Sequence, residues 1–249
     1  MRLQGKTAII TGAGAGYGAG VARRFAAEGA RVACVDIDPK AAAEIARELG
    51  PSAIGVACDA ADGASVGAMV AEVVRNFEAF DIIVNNVGMT QRPRRTANVS
   101  EAEIDLLFAV NVKSIYHMAV HAHPVLRRRG GGAVINIASV TAMRPRPGMT
   151  WYNACKAAVI SITQSMAGEL APDRIRVNAI APAVGRTAMF DVMFSEGRDE
   201  AHDRLVTTIP LGRLCTPENI AAAAVFLASD DAVFITGVIL PVDGGRMVG

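Results

Sequence analysis

Thr11-Gly12-Ala13-Gly14-Ala15-Gly16-Tyr17-Gly18 follows directly on the apolar run Ala8-Ile9-Ile10, and a stretch with helical periodicity opens at Gly18. Glycines between a first strand and a first helix let the backbone turn tightly and approach a pyrophosphate. That group sits against the helix amino terminus, where free N–H groups and the helix dipole favour anions. Glycine clusters also make plain turns, but the strand-turn-helix position favours the phosphate-binding alternative. Gly12, Gly14, Gly16, Tyr17 and Gly18 are the candidate residues of this turn.

Outward from this turn the chain alternates short apolar, β-branched runs with longer stretches of 3.6-residue periodicity. The runs at 7–11, 31–36, 53–59, 81–85, 133–139, 176–181 and 238–242 are expected strands, and 18–28, 39–49, 63–77, 101–128, 152–170 and 218–228 are expected helices. Strands that are apolar throughout, rather than alternating, suit a parallel sheet covered by helices on both faces. The expected fold is a single α/β domain over 1–249, a Rossmann-type doubly wound parallel sheet. Asp38-Pro39 and Thr216-Pro217-Glu218 are helix starts, and Gly50-Pro51 is a helix stop. The stretch 182–210 breaks the rhythm, with Met189, Phe190, Val192, Met193 and Phe194 ahead of the charged Glu196-Gly197-Arg198-Asp199-Glu200. Long excursions after a strand's carboxyl end cover binding crevices in such sheets, so 183–210 is expected to be a substrate lid, with a plain pair of surface helices as the alternative.

The 249 residues are 51% hydrophobic and 20% charged, with 25 Lys+Arg against 24 Asp+Glu and a formal net charge of +1. A chain of this size buries a core without disulfides or metal. The near-zero charge and the 5% aromatic content argue against nucleic acid as a partner. The apolar run at 8–10 is far too short for a signal-peptide core or a membrane span, so a cytoplasmic protein with no membrane partner is expected. Cys34, Cys58, Cys155 and Cys215 are scattered, without a zinc-ligand spacing. Cys155 beside Lys156 is the one candidate reactive thiol, against the commoner role of a small buried residue. His117, His121, His123 and His202 form no ligand pattern with carboxylates, and no catalytic metal is expected; His117 and His121 are expected to pack at a helix face or subunit contact.

Asp36 ends the second strand, at the distance where an acidic side chain accepts hydrogen bonds from an adenosine ribose. A carboxylate there repels a 2′-phosphate, and Ala15 and Ile37 stand where the basic residues that would hold that phosphate are usual. NAD is therefore expected in preference to NADP. The alternative for Asp36 is a solvated strand end or helix cap.

Ser139 closes an apolar strand, and Tyr152 and Lys156 lie one helical turn apart on one face. A phenol titrates near ~10, so it is a poor base at neutral pH unless positive charge stabilises the phenolate. Lys156 and an oxidised nicotinamide would provide that charge, Tyr152 would exchange the proton that accompanies hydride transfer, and Ser139 would hydrogen-bond the substrate oxygen. Alone, a Tyr-x-x-x-Lys pair more often marks an amphipathic helix; here it follows a dinucleotide turn.

With these residues in order, the sequence resembles the short-chain dehydrogenase/reductases over essentially its whole length. The resemblance runs through Thr11 to Gly18, Asp59, Asn85-Asn86-Val87-Gly88, Asn111, Ser139, Tyr152-Asn153-Ala154-Cys155-Lys156, Val177-Asn178, Pro182, Thr236-Gly237 and Asp243-Gly244-Gly245. It implies a catalytic tetrad of Asn111, Ser139, Tyr152 and Lys156, with Asn111 holding a water in a proton relay. It also implies contacts to the cofactor from the glycine turn, Asp36, Ile37, Asp59, Ala60, Asn85, Asn86, Gly88, Tyr152, Lys156 and Thr187. A homotetramer or homodimer is expected on the same ground. Tyr17, Val87 and Pro182-Ala183 depart from the usual pattern, and the last alters the loop that carries Thr187.

The expected activity is an NAD-dependent interconversion of a secondary alcohol and a ketone, of the sugar, polyol or hydroxy acid class. A 3-oxoacyl-thioester reductase and a non-catalytic NAD sensor or scaffold are the alternatives. By the resemblance, the substrate pocket draws on Met89, Thr90, Gln91, Arg92, Thr141, Met143, Arg144, Arg146, Met149, Trp151, Met189, Phe190 and Met193. Arg92, Arg94, Arg144 or Arg146 is a candidate partner for an anionic substrate group, against solvated or subunit-contact roles.

Overall fold

In the computed structural model, which describes residues 1–194 and 198–248, seven parallel strands form one sheet in the order β3-β2-β1-β4-β5-β6-β7. The strands are β1 (Thr7–Thr11), β2 (Arg31–Asp36), β3 (Ala53–Ala57), β4 (Ile82–Asn85), β5 (Gly132–Ile137), β6 (Ile175–Pro182) and β7 (Ile239–Val242). Between them run α1 (Gly16–Ala27), α2 (Pro39–Leu49), α3 (Gly63–Phe77), α4 (Glu101–Phe108), α5 (Ser114–Arg129), α6 (Thr150–Leu170), α7 (Ala188–Met193), α8 (Arg198–Val206) and α9 (Pro217–Ala228).

The all-apolar strands are buried on both faces because each pleat serves a different layer. Ala8 and Ile10 of β1, Val32 and Cys34 of β2, and Ile82 and Val84 of β4 pack with Val21, Phe25, Ile45, Ile220 and Ala224 of α1, α2 and α9. Ile9, Ala33, Val35 and Ile83, the residues between, pack with Val66, Met69, Val73, Met118 and Leu126 of α3 and α5. This burial on two faces is the physical reason the strand runs lack alternation.

Helix ends follow local chemistry. The Asp38 side chain accepts from Lys40 N at 2.9 Å, Asp62 accepts from Ala64 N at 3.0 Å, and Asn219 Oδ1 accepts from Thr216 N at 3.1 Å. Gly50 and Gly130 stop α2 and α5 at positive φ. Of the basic run before Gly130, Arg129 pairs with Asp81 at 3.0 Å. His117 and His121 face α3, where a Cβ on Gly63 or Gly67 would meet their rings.

The stretch expected as one helix over 101–128 is divided. α4 passes into a π turn at Ala109–Lys113 before α5 resumes. Asn111 occupies that turn and donates to Leu107 O at 2.9 Å and Met89 O at 3.0 Å. The wider turn aims one amide off the helix axis and toward the strand ends.

The segment after β6 forms two short helices, α7 and α8, around an apolar cluster of Phe190, Phe194, Ala201, Leu205, Ile209 and Leu214. Glu196 and Gly197 of the charged stretch expected there lie outside the described residues.

Candidate active site

Strand order reverses at β1, which pairs with β2 on one side and β4 on the other, so a crevice opens beyond the carboxyl ends of β1 and β4. Gly12 leaves β1 and Asn86 leaves β4 at that point. Asn86 Nδ2 donates to Thr11 O at 2.9 Å and Gly12 O at 3.1 Å, while Thr11 Oγ1 accepts from Asn86 N at 3.0 Å and Val87 N at 3.1 Å. Gly12 and Gly16 both have positive φ. A Cβ on Gly18 would overlap the Gly12 carbonyl oxygen and sit 2.5 Å from Asn86 Nδ2. The turn thus closes only with glycine, and it leaves the α1 amino terminus facing the crevice.

The crevice is a cleft of about 850 Å³. Gly12, Gly16, Tyr17, Asp36, Ile37, Asn86 and Gly88 line one half of it, and Ser139, Tyr152, Lys156 and Thr187 line the other. Asp36 Oδ2 accepts from Gly14 N at 2.9 Å, and a Cβ on Gly14 would press on that carboxylate. Thr187 closes over the turn, since a Cβ on Gly16 would lie 3.5 Å from its Cγ2. Tyr17 Oη donates to Ala183 O at 3.2 Å, and burial pushes its phenol far above the ordinary tyrosine range. The glycine turn, the carboxylate at the β2 end and the open helix terminus fit a dinucleotide.

Ser139 stands two residues beyond the end of β5 with extended backbone, and its Oγ accepts from Thr141 N at 3.2 Å and Thr141 Oγ1 at 3.0 Å. Tyr152 stands in the first turn of α6 and Lys156 one turn later, both buried. Lys156 Nζ donates to Ile137 O at 2.9 Å and lies 6.0 Å from the centre of the Tyr152 ring. Burial pushes the phenol up to about 12, opposed by a hydrogen bond with the Ser139 side chain. Burial pushes Lys156 down to about 8, opposed by Cys155. The Cys155 thiol is itself buried and pushed up to about 11 by that burial, which is the state of an inert thiol.

A buried ladder fixes α6 against the sheet. Asn85 Nδ2 donates to Asn136 Oδ1 at 2.8 Å, and Asn136 Nδ2 donates to Thr163 Oγ1 at 2.9 Å. Asn111 stands behind the cleft wall rather than in it. A Cβ on Gly88 would lie 2.9 Å from Asn111 Oδ1 and 3.3 Å from Lys156 Nζ, so Gly88 is the thin partition between them.

Asp59 and Ala60 stand beyond β3 and outside the cleft lining. Asp59 Oδ1 accepts from Ala61 N at 2.9 Å. Of the pocket residues expected from sequence, Thr141, Arg144, Arg146, Met149, Met189 and Met193 line the cleft. Met89, Thr90, Gln91, Arg92, Met143, Trp151 and Phe190 do not. Arg94 is engaged with Glu103 at 2.9 Å. Sequence reasoning missed Arg246 and Met247, which line the cleft from the tail after β7. Their signal was Asp243-Gly244-Gly245: Asp243 accepts from Gly245 N at 2.9 Å and Met247 N at 2.8 Å, folding the tail back. Among the described residues, no group of three or more His, Cys, Asp or Glu side chains is placed to hold a metal, and no helix is long and apolar enough to cross a membrane.

The family model described as Enoyl-(Acyl carrier protein) reductase matches residues 12–246. The chain is 42% identical over 252 residues to 4-formylbenzenesulfonate dehydrogenase of Comamonas testosteroni, covering 100% of both. The chain belongs to the short-chain dehydrogenase/reductase family. Other short-chain dehydrogenase/reductases similar to it include sorbitol dehydrogenase of Cereibacter sphaeroides, 38% identical with 99% of each chain covered. Among solved structures, the 3-ketoacyl-(acyl-carrier-protein) reductase from Brucella melitensis complexed with NADH superposes with a TM-score of 0.94 at 41% identity, covering 99% of this chain and 100% of that one. As a short-chain dehydrogenase/reductase, the protein is an oxidoreductase acting on CH–OH groups.

Proposed function

We propose that the protein interconverts a secondary alcohol and a ketone with NAD, the substrate coming from the sugar, polyol or hydroxy acid class. The observation that carries this reading is the convergence of Ser139, Tyr152 and Lys156 on one cleft that also holds the glycine turn and Asp36. A nicotinamide held in this cleft would supply the acceptor for hydride from the alcohol carbon, or the donor of hydride to the carbonyl carbon. Tyr152 takes the hydroxyl proton in oxidation and gives it back in reduction. Ser139 hydrogen-bonds the same substrate oxygen, and the Lys156 ammonium, one turn away, stabilises the phenolate that oxidation requires and that reduction leaves. Asn111, held in its π turn beside Gly88, orders the proton path behind Lys156.

Gly12, Gly14, Gly16, Tyr17 and Gly18 hold the pyrophosphate, Asp36 and Ile37 the adenosine ribose, and Asp59 and Ala60 border the adenine. Asn86, Gly88 and Thr187 flank the nicotinamide half. Asp36 supports NAD over NADP, because its carboxylate lines the cleft with Ile37 rather than a basic residue beside it. The relatives named sorbitol dehydrogenase and galactitol 2-dehydrogenase support the polyol class. The superposition on a 3-ketoacyl-(acyl-carrier-protein) reductase complexed with NADH favours a second reading, an NADH-using 3-oxoacyl-thioester reductase.

The exposed apolar Leu106, Tyr116 and Val120 of α4 and α5, and the fully exposed Phe234, support a homo-oligomer, dimer or tetramer. The location we propose for it is the cytoplasm. Light scattering on the purified protein tests its mass.

The test of function follows absorbance at the reduced-nicotinamide band with NAD or NADP and a panel of polyols, hydroxy acids, other secondary alcohols and 3-oxoacyl thioesters. Turnover with NAD that is lost in Tyr152→Phe, with cofactor binding intact, is the expected result. Cofactor binding without turnover of any member in either direction would support a sensor instead. Turnover with NADPH alone would overturn the reading of Asp36.

A further inference from the structure

We infer that the substrate carries an anionic group, a carboxylate or sulfonate, and that Arg146 and Arg246 receive it. This rests on the hydride-transfer reading of the cleft and specifies what lies at its substrate end.

The two arginines reach the cleft from separate elements. Arg146 comes from the loop between Ser139 and α6, and Arg246 from the tail after β7. Each is built in. The Arg146 backbone oxygen accepts from Asn153 Nδ2 at 2.9 Å, and its guanidinium packs 4.7 Å from the centre of the Phe194 ring. The Arg246 backbone oxygen accepts from Arg144 Nη1 at 2.6 Å, which ties the tail to the loop.

Among the described residues, no carboxylate lies within ion-pair distance of Arg146 or Arg246. Asp243 is the acid near Arg246, and its two oxygens accept backbone amides instead. Burial and the neighbouring Arg246 and Arg204 push Arg146 below its ordinary pKa, and burial with Arg144 does the same to Arg246, opposed by the more distant Asp243. Two half-buried guanidinium groups without an ion-pair partner are short of counter-charge, and a planar or tetrahedral oxyanion matches the guanidinium fork.

This anion is not part of the cofactor. The pyrophosphate turn follows β1 and the ribose carboxylate ends β2, whereas Arg246 follows β7 at the far edge of the sheet. The tail that carries Arg246 is tied instead to the loop after β5, through Arg144. Met149, Met189, Met193 and Leu205 line the same cleft as Tyr152 and the arginines, so of the classes proposed above the hydroxy acids fit best, with an apolar body joining the reacting carbon to the charge.

The test compares 4-acetylbenzoate with its neutral isostere 4-acetylbenzamide, each reduced with NADH by the wild type, Arg146→Met, Arg246→Met, the double variant and Arg92→Met as a control outside the cleft. The expected result is a wild-type preference for the carboxylate. Its KM should rise ~10-fold to 100-fold in the arginine variants, with KM for the amide and for NADH unchanged. Equal use of both ketones by the wild type, an equal loss on both, or a raised KM for NADH would each overturn the proposal.

If neither ketone turns over, calorimetry of benzoate and benzamide on the NADH-loaded protein decides. Benzoate bound in preference to benzamide, with the preference lost in the arginine variants, keeps the anion site while counting against the hydride-transfer reading. Equal binding, or none, overturns the anion site.

Discussion

Gln91 Oε1 accepts the backbone N–H of Tyr152 at 3.0 Å, while Gln91 Nε2 donates to Gly148 O at 3.1 Å. Gln91 is buried and stands outside the cleft lining, so it touches Tyr152 only through the main chain. It satisfies an amide of the first turn of α6 that no helix carbonyl can reach, and it fixes where the phenol enters the cleft.

Gln91 is therefore a positioning residue. Gln91→Met is expected to lower kcat by about 10-fold to 100-fold, since small misplacements of a reacting group are costly, while leaving NADH binding unchanged. Gln91→Glu keeps an acceptor for Tyr152 N and is expected to recover part of the loss. Steady-state kinetics beside NADH titration of each variant checks this. An equal fall in NADH affinity would indicate general disruption instead.

Tyr152, pushed up to about 12 by burial, holds its proton throughout the neutral range. It is ready to donate to a carbonyl oxygen, but must lose that proton before it can accept one from an alcohol. The deprotonated fraction grows tenfold per pH unit below the pKa. Oxidation kcat/KM is thus expected to climb with pH from about 7 to about 8 and to bend above that as Lys156, pushed down to about 8 by burial, loses the charge that stabilises the phenolate, while reduction kcat/KM stays level below the bend. Profiles in both directions test this, and a flat oxidation profile would show that the phenol has already titrated.

The sheet, its burial on two faces and the cleft's position were legible in the sequence because each depends on local patterns: apolar runs, a glycine turn and caps beside Pro39 and Pro217. The π turn at Asn111 was not, because one extra residue hardly disturbs a 3.6-residue pattern over a long amphipathic stretch. Arg246 was hidden for a different reason. It belongs to no periodic element, and only the turn that Asp243 organises brings it across to Arg144. Gln91 was visible as a residue near the pocket, but its role is a contact between segments far apart in sequence, which spacing does not encode. The arginine candidates show the same limit. Arg94 and Arg146 are equally charged in sequence, and only the fold gives one of them Glu103.

His123 on α5 is buried, and its Nε2 has no hydrogen-bond partner. Burial pushes it down to about 4 from its ordinary 6.5. Between these values the unfolded chain binds a proton that the native protein does not, so stability is complete above pH 6.5 and is lost as pH falls toward 4. The expected loss is about 2 kcal/mol between pH 7 and pH 5. Urea unfolding at the two pH values measures it, and His123→Leu should flatten that slope. An unchanged slope in the variant would assign it to other groups.

Asp36 combines two roles, and its substitution has to separate them. Its Oδ2 accepts from Gly14 N at 2.9 Å and its Oδ1 from Asp38 N at 3.1 Å, so truncation to Ala would loosen the glycine turn as well as remove charge. Asp36→Asn keeps one side-chain oxygen as an acceptor and removes the charge that repels a 2′-phosphate. Ile37, exposed beside it on the cleft, is where a guanidinium can reach that phosphate. The wild type is expected to prefer NADH, Asp36→Asn to narrow the preference about tenfold, and Asp36→Asn with Ile37→Arg to reverse it, the change lying in KM rather than kcat because the hydride-transfer end is untouched. The ratio of kcat/KM for the two cofactors with one fixed substrate decides it. A ratio that stays constant across the three proteins would remove Asp36 from cofactor choice and leave it as the support of the turn alone.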